Sequence, residues 1–322
     1  MFARGALFLS LALGAACSDG PPPAAAARGA EVVPTLVPVQ WHPAMPLPLP
    51  GRLVFHSDRE GRHRLFLLDQ AGDVARLTDG HDHHDEEPAV SPDGTRIAFT
   101  TTRFDHRTWD IAIWDLATRL PRRVTSHIAF ERQPAWQPDG RALLFASEQD
   151  GTQAVFRVTI DDGRIERVSS GPNRALMPAV SPDGRSLAFV SGTRDGLRLF
   201  VQDLAAGKPR ALTPPLETSA TPRWSPDGRQ IAFARFAPDG TSTVAIVAVA
   251  TGEIRAFPID GIAAVREPAW SPDGQWLAAA ASSEVGERED WDLILLRPDA
   301  PAAAVRVTHG PARDRAPAWM PR

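Results

Sequence analysis

Residues 81–87, His81-Asp82-His83-His84-Asp85-Glu86-Glu87, put three imidazoles and four carboxylates in seven consecutive positions. Neutral imidazole nitrogens and carboxylate oxygens are the donors that divalent first-row cations take. His81, His83, His84 and Asp85 are therefore the metal candidates of this chain. Read without a metal, the same run is a solvated acidic loop, the usual state of clustered charge. Five aspartates, Asp93, Asp139, Asp183, Asp227 and Asp273, recur at near-constant spacing, but each sits in Pro-Asp-Gly. In that tripeptide proline presets φ, Asp accepts the second turn position and Gly takes a positive φ. These five are read as turn residues and not as a site. The chain contains no G-x-S-x-G elbow, phosphate loop, dinucleotide fingerprint or Cys-x-x-Cys pair, so no nucleophile or nucleotide platform is expected.

The elements that must position the polar groups form a repeat. PAVSPDGTRIAF begins at Pro88, PAWQPDGRALLF at Pro134, PAVSPDGRSLAF at Pro178, PRWSPDGRQIAF at Pro222 and PAWSPDGQWLAA at Pro268, and a truncated PAWMPR begins at Pro317. The steps are 46, 44, 44, 46 and 49 residues. A fixed period of about 40–50 residues with several short β-type pieces per unit marks a propeller. A fourth piece recurs as VARLT ending at Thr78, RRVT at Thr125, ERVS at Ser169, RALT at Thr213, RAFP at Pro258 and VRVT at Thr308. This predicts an all-β fold: a six-bladed β-propeller of four-stranded antiparallel blades over residues 51–322. The first unit begins at Gly51 without its own inner strand, and the C-terminal Pro317-Ala318-Trp319 is expected to supply it and close the ring. Trp41-His42-Pro43 is the rival donor.

In such a ring, loops from an outer strand to the next inner strand emerge on one face. His81, His83, His84, Asp85, His127, Glu131, Glu267, His309 and Asp314 lie on those connections, and Arg59, Arg103 and Arg194 lie on loops expected at the same face. Trp136, Trp224, Trp270 and Trp319 share one inner-strand position and should pack between blades. Ala89, Ala135, Ala179, Ala269 and Ala318 precede that position, and Arg223 replaces alanine in the remaining unit, so it is expected to carry a cation into the channel.

Net charge is −4, from 35 basic and 39 acidic residues, with pI about 6.1. Nothing in this balance suggests a nucleic-acid groove or a polybasic membrane surface. One cysteine excludes an internal disulfide framework. That residue, Cys17, ends the apolar run GALFLSLALGAA at 5–16, which is too short to span a bilayer and fits a signal-peptide core. The segment resembles the lipobox of bacterial lipoproteins, with Gly14 where leucine is usual. The resemblance implies a signal peptide at 1–16, lipidation at Cys17 and, from Ser18, sorting to the periplasmic side of the outer membrane. The Pro/Ala-rich residues 17–50 show no helix or strand period and read as a stiff tether.

The repeated P-x-W-S-P-D-G-x-x-[IL]-A-F, loops such as Ser57-Asp58-Arg59-Glu60-Gly61 and outer strands ending in Leu-Thr resemble the WD40-like propeller repeat of the TolB family. The resemblance covers residues 51–322 and implies six blades. That family also carries an α/β domain ahead of its propeller, for which residues 18–50 are too few. Its docking of the peptidoglycan-associated lipoprotein is not carried over here. The expected function is that of a TolB-like, non-catalytic binding protein of the envelope, monomeric, meeting a protein or cell-wall partner through the loop face. No cofactor is expected beyond a divalent metal on the His run, and no nucleic acid. The alternative is a metal-dependent hydrolase or lyase using the His/Asp-rich mouth.

Overall fold

The computed structural model describes residues 35–36, 40–42, 49–170, 174–193, 196–205, 207–215, 217–285, 290–299 and 303–321. Among these every regular element is a strand. The fold is an all-β propeller. Four units are separate four-stranded antiparallel sheets. The first runs Arg315–Trp319, Leu53–Ser57, Arg64–Leu68, Val74–Arg76. The second runs Asp85–Val90, Arg96–Thr101, Asp110–Asp115, Leu120–Arg123. The third begins at Glu131–Trp136 and the fourth at Ala175–Val180. The fifth run, from Thr218–Trp224 to Ile254–Phe257, and the sixth, from Ala264–Trp270 to Ala303–Arg306, belong to one ten-stranded sheet. A single parallel pairing, Ser242 with Ala264, joins them. Six separate sheets were expected and four are present, because this backbone bridge fuses the other two runs.

Each first strand packs against its counterpart in the next unit, and Arg315–Trp319 lies between Ala264–Trp270 and Asp85–Val90, which completes the circuit. The pairing of Ala318 with Val54 and Trp319 with Leu53 fills the inner position of the first sheet from the C-terminal end. Trp41 lies elsewhere: Gln40–His42 runs parallel to the outer strand Ala303–Arg306, and Thr35–Leu36 runs parallel to Ile254–Phe257. The segment expected to be strandless thus contributes two short strands, because outer strands leave an unpaired edge that a neighbouring chain segment can satisfy.

The core is a set of layers between units. Val54 and Leu65 meet Ile97, Phe99 and Trp114 between the first and second, and Phe55 and Phe66 meet Leu293 and Leu295 between the sixth and first. The indoles lie in these layers, donating Nε1–H to the preceding unit: Trp136 to Ala89 O (3.0 Å), Trp224 to Ala179 O (3.1 Å), Trp270 to Arg223 O (3.2 Å) and Trp319 to Ala269 O (3.0 Å). The repeated outer-strand hydroxyl also has a local purpose. Thr78, Thr125, Ser169, Thr213 and Thr308 accept the N–H of Leu65, Ile111, Val155, Leu199 and Leu293, capping a ladder position that the short outer strand leaves open.

The Pro-Asp-Gly aspartates are turn residues. Asp93 accepts from Ser91 Oγ (2.5 Å) and Thr95 N (3.1 Å), and these bonds hold its carboxyl at about 2. Asp183, Asp227 and Asp273 repeat the serine bond.

Candidate functional site

Inner strands begin two to four residues before the repeated proline, so Asp85, Glu86 and Glu87 belong to strand Asp85–Val90 and not to an open loop. The residue before each proline has positive φ: Glu87 (53°), Gln133 (62°), Met177 (54°), Thr221 (49°), Glu267 (57°) and Ala316 (50°). Non-glycine residues rarely adopt this conformation, and a following proline restricts them further. Here each marks a bulge where the pairing register shifts, on the edge strand where a proline without N–H is tolerated.

The bulge side chains form a belt between units. Glu87 Oε2 accepts Gln133 N–H (3.0 Å), Gln133 Oε1 accepts Met177 N–H (2.9 Å), Met177 Sδ accepts Thr221 N–H (3.2 Å) and Glu267 Oε2 accepts Ala316 N–H (2.8 Å). Alanine at 316 has nothing to offer Glu87 N–H, and His56 Nδ1 accepts it at 3.2 Å. Burial, with the His63 ring stacked at 5.1 Å, brings His56 down to about 3, so it remains neutral.

Two residues ahead of the bulge, the six units carry Asp85, Glu131, Ala175, Ser219, Val265 and Asp314, all buried. Carboxylates therefore occupy only the first three units. Asp314 is held by both oxygens to Arg59 Nη2 (2.9 Å each), and Asp85 bonds Arg103 Nη2 (2.8 Å) and Thr101 Oγ1 (2.6 Å). Burial alone would raise Asp85; His83, Arg103 and Thr101 hold it below the carboxylate range. In the third unit Gln149 stands where Arg59 and Arg103 stand, each following its strand's last hydroxyl by two. Glu131 has lost its cation, and burial pushes it up to about 7.

The position between these and the bulge adds Glu86, Arg132 and Arg315. Glu86 takes His63 Nδ1 at 2.7 Å on Oε1 and Arg132 Nη2 at 2.8 Å on Oε2. Burial opposes ionisation there, but these two bonds win and hold Glu86 well below the usual range. Arg132 lies over Trp109 (4.6 Å), and Arg315 bonds Glu267 at 2.6 Å. Glu267 is likewise held low by Arg315 against its burial.

The expected site residues thus separate. His81, His127 and His309 are exposed; His84 is half-buried. His83 is buried with Nε2 3.4 Å from Asp85 Oδ2, and Asp85, Glu131 and Asp314 are inside. The histidine run is therefore not a uniform surface loop, because Arg64 reaches the carbonyls of Gly80 and His83 and pulls it inward. Arg194 lies outside the described residues. Arg223 lines a cavity of about 350 Å³ with Ala89, Ala135, Ala179, Ala269 and Ala318. Burial lowers its pKa against the pull of Glu267 and Glu87, and its guanidinium donates to Pro222 O (2.8 Å). His56, His63, Arg132 and Trp109 were not expected in this region. Their sequence signal was faint: a histidine inside the apolar strand LVFHS, and charge two residues before the repeated proline.

The loop face also exposes apolar side chains. Ile128 is 86% exposed and Phe130 53%, on the connection into the third unit, and Phe104 is exposed on the loop before Asp110.

A family model described as the TolB beta propeller domain matches residues 80–220. The TolB homolog of Chlorobaculum tepidum is 32% identical over 117 residues, 36% of this chain and 26% of that protein. The chain therefore spans about a quarter of that relative's length. TolB from Acinetobacter baumannii has a similar structure, with TM-score 0.69 and 22% identity over 86% of this chain and 68% of that one. An oligogalacturonate lyase from Vibrio parahaemolyticus shares the fold more loosely, with TM-score 0.55 and 14% identity over 83% of this chain and 76% of that one. Repeat, closed circuit of inner strands and these likenesses agree: the chain carries a TolB-like β-propeller.

Proposed function

We propose that this is a non-catalytic binding protein of the bacterial envelope, a six-bladed propeller in which the fused fifth and sixth runs count as two blades. It presents its loop face to a protein partner. The observation that carries the reading is the exposed pair Ile128 and Phe130 beside a charged crescent in which Asp314, Asp85, Glu86 and Glu267 are paired with arginines. Exposed aromatic and aliphatic side chains in a polar rim are the composition of a protein-recognition patch. A carboxylate committed to an arginine is a poor general base. Changing Ile128 and Phe130 together to serine is expected to reduce partner recovery in a crosslinking pull-down from envelopes by about tenfold or more, as for anchor residues. Unchanged recovery would overturn the patch assignment.

The binding face is held at the envelope by Cys17, which lies outside the described residues. Lipidation there, on the periplasmic side of the outer membrane, follows from the apolar run that it ends. Cys17→Ala is expected to abolish acylation and shift the protein from the membrane fraction to the soluble one. An acylated, membrane-bound variant would show that the anchor lies elsewhere. The metal-dependent hydrolase or lyase remains the second reading, favoured by the grouping of His63, His84 and Glu86.

A further inference from the structure

Two loops and one strand deliver three donor atoms to a single point at the mouth. His63 precedes strand Arg64–Leu68, His84 ends the connection into the second unit, and Glu86 lies in its inner strand. Donor atoms of these three residues all lie within 4.8 Å of one another. His63 Nδ1 is 2.7 Å and His84 Nδ1 4.0 Å from the same oxygen, Glu86 Oε1. Of the four metal candidates expected from the sequence, only His84 belongs to this group.

We propose that His63, His84 and Glu86 form a divalent-cation site of two imidazoles and one carboxylate, suited to zinc(II), with a remaining coordination position open to water. Two nitrogens and one carboxylate oxygen are a donor set that zinc takes when it keeps an exchangeable ligand. Side-chain exposures of 23% for His63 and 32% for His84 let water reach the position.

Three further observations support the site. His84 Nδ1 is buried without a hydrogen-bond partner, an orphaned donor atom beside the carboxylate. The backbone around it is fixed: Asp85 N–H bonds His63 O (3.0 Å), His84 N–H bonds Thr102 Oγ1 (2.9 Å) and Thr102 N–H bonds His84 O (3.0 Å). Arg132 occupies Glu86 Oε2 and so aims Oε1 at the two rings, the role an outer-shell partner has in metal sites.

Two cations oppose binding. Arg62 Nη1 lies 3.0 Å from His84 Nε2, and Arg132 neutralises part of the Glu86 charge. Arg62 is exposed and free to swing outward, whereas Arg132 stays. A moderate affinity follows, below that of a closed structural zinc site. The inference does not depend on the partner-binding reading, since it concerns a metal and not the apolar patch.

The test uses the full chain, tag-free and stripped by chelator, titrated with zinc(II) by calorimetry and with cobalt(II) by visible absorption. One equivalent of metal is expected, and cobalt should give the intense ligand-field bands of a low-coordinate site. His84→Ala and Glu86→Gln should each weaken binding by about 100-fold, at the upper end of outer-shell losses or beyond. His81→Ala should leave it unchanged. Thermal melts of each variant confirm folding, and His63→Ala provides a second ligand deletion should His84→Ala melt early. No stoichiometric uptake, wild-type affinity in Glu86→Gln, or an equal loss in His81→Ala would each overturn the site.

Discussion

Removal of residues 314–322 is expected to abolish cooperative folding of the propeller. Trp319 and Met320 are 8% and 7% exposed, and they enter two different inter-unit layers, against Leu293 and Leu295 on one side and Ile97 and Trp114 on the other. Truncating a buried tryptophan alone costs about 3–5 kcal/mol. Deletion also removes the pairing with Leu53–Ser57, leaves Glu267 without Arg315 and Ala316 N–H, and strands Arg59 without Asp314. The combined loss rivals the whole stability of a typical domain, about 5–15 kcal/mol. The graded version is Trp319→Ala, expected to lower unfolding free energy by about 3–5 kcal/mol in urea titrations. A deletion variant with the wild-type melting temperature would mean that another segment closes the ring.

The second large effect is electrostatic. Glu131 is buried with Oε1 unsatisfied, and its pKa is raised from 4.5 to about 7. A carboxyl raised in the folded state binds its proton more tightly there than in the unfolded chain. Stability therefore falls as pH rises from about 4.5 to 7, and the penalty is complete above that. The shift corresponds to about 3 kcal/mol. Glu131→Gln keeps the shape and removes the charge, so it should be more stable than wild type at pH 8 by up to that amount, with the difference closing at pH 4.5. Gln149→Arg should act through the other partner, restoring the cation that Asp85 and Asp314 have in their own units and abolishing the pH-dependent penalty. Urea titrations at the two pH values test both variants. A Glu131→Gln difference that is the same at pH 4.5 and pH 8 would show that Glu131 titrates normally.

Much of the fold was legible because its determinants are local. Pro-Asp-Gly turns, the Trp position and the outer-strand hydroxyl are each satisfied within one unit or against the next, so they repeat visibly. The alanines before the tryptophan were legible for the same reason, since every inner strand meets the same crowding around the channel. The belt was not legible. Glu87, Gln133, Met177, Thr221, Glu267 and Ala316 look unrelated as residue types, and what they share is a backbone conformation. The histidine run does not act as one cluster, because adjacency in sequence is not adjacency in space. In a strand, neighbours point to opposite faces. Asp85 turns into the sheet toward Arg103 and Glu86 turns toward His63 and Arg132.

The sequence by itself determined the repeat, the strand-and-turn chemistry of each unit and the closure by Pro317-Ala318-Trp319, because each depends on contacts a few residues long or on one repeated motif. Tertiary structure alone decided which charges meet. Arg59 and Asp314 are 255 residues apart, and His63 and Glu86 are 23 apart in different units. Only the circular arrangement of inner strands brings those positions within bonding distance. It also decided that Glu131 lacks a cation, since the partner position in its unit is occupied by Gln149. Pairing of this kind is set by which elements become neighbours around the ring, information that no local spacing carries.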